Sequence, residues 1–277
     1  MHSHSRTTGH SRPAPRRRVP TTRRVTGRSG VAAVQPPPLP SPTIIGGGRT
    51  EKATGFTRKG GGGMVTGIMV SYNTRLLVEK SYQSIRKFYP DMPIIIVDGS
   101  DPGNSTAAYV KTLTSPLTTV MSFGRDVLHG PGMCIGINYC QTRYALLFDT
   151  DIELLEPCVG DMLNMMEEDT FGVGYVIPTV FGGHGTLYTY PPEPTPKDGK
   201  WMPYLHPYFH LIDIKNYRKF PPYVHGGAPC VPTMLAIYEA GLAWKIIKQF
   251  KDLSNGTPKF VKHDGGGTCR HDPRLCT

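Results

Sequence analysis

A short apolar run that ends in two aspartates constrains the fold of this chain more than any other feature. Residues 144–148 read Tyr-Ala-Leu-Leu-Phe, and Asp149, Thr150 and Asp151 follow directly. A run this short and this apolar, bounded by polar residues, predicts a buried strand of a parallel sheet. Open α/β sheets bind their ligands at the carboxyl ends of such strands, which is where the two carboxylates stand.

Two carboxylates held together at a strand end repel one another unless they have a partner of opposite charge. A hard divalent cation, Mn²⁺ or Mg²⁺, is the natural partner, since it takes oxygen ligands and bridges to phosphates. An ordinary polar turn after a strand is the alternative, because aspartate is common in turns. Asp149 and Asp151 by themselves leave both interpretations open.

Strand-like and helix-like segments alternate along the chain from residue 64 onward. The pattern predicts strands at 64–71, 92–97, 117–123, 144–148, 171–178, 210–214 and 259–262, and helices at 76–88, 105–112, 132–142 and 232–241. Such alternation predicts an α/β fold with a mostly parallel sheet flanked by helices. A long Gly/Pro/Tyr-rich loop is predicted at 181–200.

Three further motifs stand in order around the aspartate pair. Tyr72-Asn73 follows the first strand, Asp98-Gly99-Ser100 follows the second, and His263-Asp264 precedes three glycines near the C-terminus. With this ordered set, residues 64–270 resemble the GT-A glycosyltransferases, within them the family 2 group. The resemblance implies the GT-A fold, with a Rossmann-like sheet, and the transfer of a sugar from a nucleotide-diphosphate donor.

The resemblance assigns the metal site and the catalytic carboxylates. Asp151 matches the closer ligand of Mn²⁺ or Mg²⁺, and Asp149 matches the residue that meets the ribose or the sugar. His263 matches a further metal ligand, although a single histidine in a loop is more often a surface residue. A bound cation neutralises the charge that builds on the departing diphosphate.

Other matched positions imply contacts to the nucleotide sugar. Tyr72 and Asn73 match residues that close around the base and ribose, Asp98 matches the acid that hydrogen-bonds the nucleobase, and Asn138 matches a residue near the diphosphate. Gly265 and Gly266 allow backbone N–H groups to approach a phosphate without a Cβ between them. Arg75 and Arg143 are further candidates for phosphate contact.

The sequence departs from the family pattern at the catalytic base. Inverting family 2 enzymes usually carry Glu-Asp upstream of a helix end such as Glu239-Ala240-Gly241, but Pro229-Cys230 stands in that place. Either the base comes from elsewhere or the reaction is retaining. We predict His225 as the base, because an imidazole suits proton transfer near neutral pH; it could equally orient an acceptor hydroxyl. His210, Asp213 and Glu239 are other titratable groups in this region.

Residues 1–63 differ in composition from the rest. Residues 1–60 contain 12 of the 31 Lys and Arg residues and one acid, Glu51, for a net charge of +11. We predict a disordered basic tail, which cannot bury enough apolar surface to offset its ordering entropy, and one GT-A-like domain at 64–277. The tail would bind nucleic acid or another acidic surface, or remain solvated without a partner; Met64 could also be the natural start.

The composition indicates the cellular compartment of the protein, and the motifs leave three functional classes open. There is no apolar stretch of about 18 residues and no secretory signal. The cysteines form no CxxC pair and no zinc spacing, and we interpret most of them as small buried residues in a reducing, cytoplasmic compartment; Cys269 and Cys276 could instead pair in an oxidising one. Besides a transferase acting on a glycan, protein or modified nucleic acid, the chain could be a sugar-nucleotide nucleotidyltransferase or a degenerate module that binds a nucleotide sugar or nucleic acid. A nucleotidyltransferase would carry a Gly-rich loop with Arg and Lys directly after the first strand. Here the first strand leads into Ser-Tyr-Asn-Thr-Arg, which argues against that class.

Overall fold

The computed structural model describes residues 41–45, 64–181, 187–189, 201–224, 227–251 and 259–265. The strands in these ranges are β1 (Thr43–Ile45), β2 (Val65–Ser71), β3 (Ile94–Asp98), β4 (Thr118–Ser122), β5 (Tyr144–Phe148), β6 (Ile152–Leu154), β7 (Gly172–Phe181), β8 (Leu187–Thr189), β9 (Trp201–Asp213), β10 (Ile247–Gln249) and β11 (Val261–His263). The helices are α1 (Arg75–Phe88), α2 (Ser105–Thr112), α3 (His129–Tyr139), α4 (Val159–Asn164), α5 (Ile214–Tyr217), α6 (Val231–Glu239) and α7 (Ala243–Ile246).

A nine-stranded mixed sheet in the order β1-β4-β3-β2-β5-β9-β7-β10, with β8 on β7, forms the centre of this part of the chain. Strands β4, β3, β2 and β5 are mutually parallel, and β9 returns antiparallel to β5. Every residue of β3 and β5 is buried, because helices cover both faces of the sheet. The predicted α/β fold with a mostly parallel, helix-flanked sheet is therefore confirmed.

Glycines allow α3 to lie directly on the sheet. A Cβ at Gly136 would stand 2.4 Å from Ile68 Cγ2, and one at Gly132 would stand 2.7 Å from Val70 Cγ1. Helix α3 begins at His129, three residues before the start that the sequence predicts. The Asp126 carboxylate accepts a hydrogen bond from the Leu128 N–H at 2.8 Å and shapes the turn that precedes the helix.

One part of the predicted tail belongs to the sheet. Strand β1 pairs antiparallel with β4, with Ile44 opposite Met121. The prediction of a disordered tail over residues 1–63 is thus wrong at 43–45, where a β-branched stretch adds to the open edge of β4. For most of the tail the prediction concerns residues outside those described and stays a prediction.

The strand predicted at 210–214 begins later and is shorter than the strand that the structure contains in this region. Strand β9 runs over residues 201–213 and pairs with both β5 and β7. Its pairing with β7 shifts register between Gly174 and Val176: Gly174 faces His210, whereas Val176 faces Leu205. Residues 206–209 of β9 therefore bulge opposite residue 175. Bulges re-aim side chains next to sites of function, and this one holds two side chains of the site described below.

The last predicted strand lies outside the main sheet. Strand β11 pairs with β6 in a separate two-stranded antiparallel sheet. Most of the predicted loop at 181–200 falls outside the described residues; its described part contains β8. Among the helices that the structure describes, none is long and apolar enough to cross a membrane.

Candidate functional site

Two aspartates and a histidine meet at the carboxyl end of β5. Asp149 and Asp151 follow that strand directly, and His263 is the last residue of β11. One ligand atom from each of these three residues lies within 4.8 Å of the other two. Within the group, His263 Nε2 is 3.4 Å from Asp151 Oδ1. Two carboxylates and an imidazole at this spacing have the donor atoms of a site for Mn²⁺ or Mg²⁺.

The β6–β11 pairing brings His263 to the aspartates from the far end of the chain. His263 faces Ile152 in this pairing, and the Asp264 N–H donates to the Asp151 carbonyl oxygen at 3.0 Å. Lys80 on α1 lies 3.5 Å from the Asp264 carboxylate and fastens the same segment to the helix. Burial by itself lowers the pKa of His263, but the hydrogen bond and charge of Asp151 outweigh it, so that this pKa lies above its ordinary value.

His129 is a site residue that the sequence reasoning missed. Its Nε2 lies 3.0 Å from Asp149 Oδ1. Burial alone would lower the pKa of His129, but the charge of Asp149 and the hydrogen bond to it leave the pKa raised. The opposite balance holds the pKa of Asp149 below its ordinary value despite burial. The available signal was a histidine in the first turn of the helix before β5, at the edge where open α/β sheets bind their ligands.

The bulge of β9 supplies an aromatic wall, Tyr208 and His206, beside the cluster. The Tyr208 ring stacks on His263 with centroids 4.4 Å apart and planes at 7°. The Tyr208 carbonyl oxygen also accepts a hydrogen bond from the Asp149 N–H at 2.9 Å. His206 lies beside them, with its ring centroid 5.9 Å from that of His263. Burial lowers the pKa of His206 to about 4, so this imidazole is neutral at neutral pH.

Asp98, the last residue of β3, is fully buried, and hydrogen bonds from the described residues reach only one of its two carboxylate oxygens. Its Oδ1 accepts hydrogen bonds from Ser71 Oγ at 2.9 Å and from Ser100 Oγ at 2.6 Å. Its Oδ2 is buried and has no hydrogen-bond partner among the described residues. A buried acceptor without a partner is costly, and this oxygen is placed to receive an N–H from a ligand.

The loops after β2 and β3 are joined by Asn73. Its side chain donates to Asp101 Oδ2 at 2.7 Å and accepts from the Asp101 N–H at 3.1 Å, and its own N–H donates to Ser100 Oγ at 3.0 Å. Tyr72 Oη lies 3.4 Å from both carboxylate oxygens of Asp101. Asp101 was not among the predicted residues, although it directly follows the Asp98 motif. The structure thus brings Tyr72, Asn73 and Asp98 to one edge of the sheet.

Of the other predicted phosphate contacts, Asn138 and Arg143 lie away from this edge, whereas Arg75 is in the first turn of α1, directly after the loop of Tyr72 and Asn73. Asn138 is exposed and borders a groove with Met121 and Phe123. It lies nine residues beyond His129 in α3, or about 13 Å along the helix axis, because the first turn of α3 and not its last one faces the aspartates. Arg143 pairs with Asp213 at 2.8 Å at the opposite end of β5, and Arg75 pairs with Glu79.

His225, the predicted base, lies outside the described residues, and so does Gly266. Gly265 is described and has a φ of +60°. Of the other titratable groups, His210 is buried against Tyr223, with Nε2 and the hydroxyl 3.1 Å apart. Asp213 caps α5 by accepting from the Asn216 N–H. Glu239 is exposed at the end of α6.

The fold and the site define a class before any relative is considered: an α/β domain with a mostly parallel sheet and an acidic site at the carboxyl edge of that sheet. The model of glycosyl transferase family 2 matches residues 66–230. Because that match spans more than half of the chain, the protein belongs to glycosyltransferase family 2. No curated protein matches the chain significantly.

Three solved structures resemble the chain at low identity. The mannosyltransferase PcManGT of Pyrobaculum calidifontis, in complex with GDP-Man and Mn²⁺, is 16% identical with a TM-score of 0.49, over 69% of this chain and 55% of that one. Mannosyl-3-phosphoglycerate synthase of Rubrobacter xylanophilus is 16% identical with a TM-score of 0.44, over 67% and 64%. S. aureus TarS (1–349) is 12% identical with a TM-score of 0.48, over 76% and 64%. The chain thus spans less than two thirds of each of these structures.

Proposed function

We propose that this protein is a metal-dependent glycosyltransferase that moves a sugar from a nucleotide-diphosphate donor to an acceptor. The observation that carries the proposal is the cluster of Asp149, Asp151 and His263, whose ligand atoms lie within 4.8 Å of one another. Membership of family 2 supports the reaction class. The cluster stands at the carboxyl end of β5, where an open α/β sheet binds its ligand.

The residues of the cluster fit a divalent cation. Without one, two carboxylates at this range repel each other, and His263 and His129 each balance only one of them. Asp151 and His263 would hold Mn²⁺ or Mg²⁺, with Asp149 beside them. Such a cation, when bound, neutralises the charge that develops on the diphosphate leaving group. Asp149 and Asp151 are therefore the proposed catalytic carboxylates.

The donor's nucleoside would lie over the ends of β2 and β3. Asp98 Oδ2 is a buried acceptor without a hydrogen-bond partner among the described residues. A nucleobase with a ring N–H group, such as uracil or guanine, could donate a hydrogen bond to it. Tyr72 and Asn73 lie beside Asp98 in the loop after β2 and would close around the base and ribose. The backbone at Gly265 would face the phosphates, together with Gly266.

The acceptor side would be lined by the aromatic wall of Tyr208 and His206 together with Tyr175 of β7, which packs against both; the three rings lie 5.0 to 6.3 Å apart. Aromatic rings suit the apolar faces of sugars, and glycan, protein and modified nucleic acid remain the proposed acceptor classes. His225 remains the proposed base. For the basic tail, an acidic surface or nucleic acid is the proposed partner. Free thiols at Cys134, Cys140, Cys158 and Cys230 support a cytoplasmic location.

Calorimetric titration of the protein with Mn²⁺ and then with UDP, GDP, CDP or dTDP tests the proposal. We expect one nucleotide to bind tightly only when Mn²⁺ is present, and the matching sugar nucleotide to be consumed. Asp151→Asn, which keeps the size and polarity of the side chain, should abolish the metal dependence while the melting temperature stays near that of the wild type.

A matched control is Asp161→Asn, which removes an acidic group from α4, in a pocket that Arg143 and Tyr144 border at the amino end of β5, the opposite end from the cluster. This variant should bind as the wild type does. Equal nucleotide affinity with and without Mn²⁺ in the wild type would reject the metal site. Tight binding without any sugar transfer or hydrolysis would instead favour a binding module that has lost catalysis.

A further inference from the structure

We propose that His129 is a positioning residue, which fixes the orientation of the Asp149 carboxylate so that the metal and donor site is preformed. This role rests on the function proposed above. The role follows from how the carboxylate is held.

Asp149 is held at three points. Its N–H donates to the Tyr208 carbonyl oxygen at 2.9 Å, and its own carbonyl oxygen accepts from Ser81 Oγ at 3.0 Å. These two bonds fix the backbone but leave the side chain free to rotate. His129 Nε2, at 3.0 Å from Oδ1, supplies the third point and restricts that rotation. The other carboxylate in the cluster, Asp151, is contacted by a different imidazole, that of His263.

The backbone around His129 is shaped to aim its ring. Leu128 directly before it has a φ of 62°, which a leucine rarely adopts, and its side chain is 49% exposed, so that packing of that side chain does not account for the conformation. Non-glycine residues in this region are strained and persist where the surrounding structure holds them, often at functional sites.

Gly130 on the other side of His129 fits against a second loop. A Cβ at Gly130 would lie 2.6 Å from the backbone carbon and oxygen of Val224, so only glycine allows α3 to begin this close to that loop. His129 therefore lies between a strained residue and an obligatory glycine. Both features set the position of its ring, and neither is needed for an ordinary helix start.

Asp149 offers one of the donor atoms of the candidate metal group beside Asp151 and His263, and an imidazole that donates to it acts as the outer partners of metal ligands do. Such partners fix ligand orientation, and their loss typically weakens metal affinity by about 10- to 100-fold. The bond to Asp149 needs only a donor at the position of Nε2. A glutamine side chain can place an N–H near that position, whereas a leucine fills the space without a donor.

The experiment measures the affinity for Mn²⁺ alone, from the electron paramagnetic resonance signal of the free ion, in the wild type, His129→Gln, His129→Leu and Gly130→Ala. We expect His129→Leu to weaken binding by about 10- to 100-fold and His129→Gln to restore it to within about threefold of the wild type. Gly130→Ala keeps every polar group but displaces the start of α3, and it should weaken binding as His129→Leu does. Melting temperatures are recorded in parallel.

The outcomes separate the two proposals. Absence of Mn²⁺ binding by the wild type would reject the proposed metal site itself. If the wild type binds and Asp151→Asn does not, the site stands, and unchanged affinity in His129→Leu would overturn the positioning role. Equal losses in His129→Gln and His129→Leu would also overturn it, because the donor would then not matter. If His129→Leu does not fold, the Mn²⁺ affinity of Gly130→Ala, compared with that of the wild type, tests the positioning role instead.

Discussion

The ring of Tyr208 lies parallel to that of His263, with the centroids 4.4 Å apart and an interplanar angle of 7°. Tyr208 reaches this position because it lies in the bulge of β9, and His263 reaches it because β11 pairs with β6. The stack holds one face of the imidazole while Asp151 contacts its edge at Nε2. The orientation of a candidate metal ligand is thus set by two irregular features of the fold.

Removal of the Tyr208 ring should therefore weaken the metal site. An aromatic stack contributes about 1 kcal/mol beyond its buried area, so Tyr208→Leu should lower Mn²⁺ affinity by roughly fivefold. Tyr208→Phe keeps the ring and should bind within about twofold of the wild type. Calorimetry of Mn²⁺ binding measures both, and a loss in the Phe variant as large as that in the Leu variant would show that the hydroxyl and not the stack matters.

Metal affinity should depend on the protonation of His263. Because Asp151 keeps the pKa of this imidazole above its ordinary value, a proton competes with the metal at a higher pH than for a free histidine. Apparent Mn²⁺ affinity should rise with pH up to that raised pKa and then level off. The matched variant is His263→Gln, which should bind more weakly and lose part of the pH dependence; the share due to His129 should remain. If His263→Gln binds Mn²⁺ with the affinity and the pH dependence of the wild type, His263 is not a ligand in this site.

Acid should destabilise the fold through His210. This side chain is fully buried against Tyr223, and burial lowers its pKa to about 4. Between the unfolded value near 6.5 and about 4, the unfolded chain binds more protons, so stability is lost as the pH falls through this window. The expected loss is about 3 kcal/mol of unfolding free energy.

His129 and His263 act in the opposite sense, because their raised pKa values add stability at low pH that is lost as the pH rises. Urea unfolding of the wild type and His210→Gln across this window isolates the contribution of His210. The variant should be less stable at pH 7, where it loses the neutral imidazole's contacts, and should show a flatter decline toward pH 4. Parallel pH curves for the two proteins would contradict the assignment.

Truncation should distinguish strand β1 from the rest of the basic tail. Deletion of residues 1–63 removes the partner of β4 and leaves the edge around Met121 uncovered. We expect a loss of about 2 kcal/mol, which lowers the melting temperature by roughly 4–8 °C. Deletion of residues 1–40 keeps β1 and should melt as the full chain does. Equal melting temperatures for all three proteins would mean that β1 contributes nothing to stability.

The amino-acid sequence alone was sufficient for the elements whose signal is local. The buried strands β3 and β5 are short apolar runs, and helices α1 and α2 lie within a residue of their predicted bounds. Polar residues directly after a buried parallel strand must emerge at one edge of the sheet. That rule placed Asp149 and Asp151 at this edge without any knowledge of the tertiary structure, whereas Asp98 was singled out by the resemblance to the family.

Tertiary structure alone decided which distant residues meet those aspartates. His129 contacts Asp149 because α3 begins earlier than its periodicity predicts, and Tyr208 is aimed by a bulge that no local pattern indicates. The β6–β11 pairing that delivers His263 joins segments far apart in the chain. Side-chain periodicity reports which face of an element is buried, whereas register, bulges and helix starts depend on long-range packing and on hydrogen bonds that form only in the folded chain.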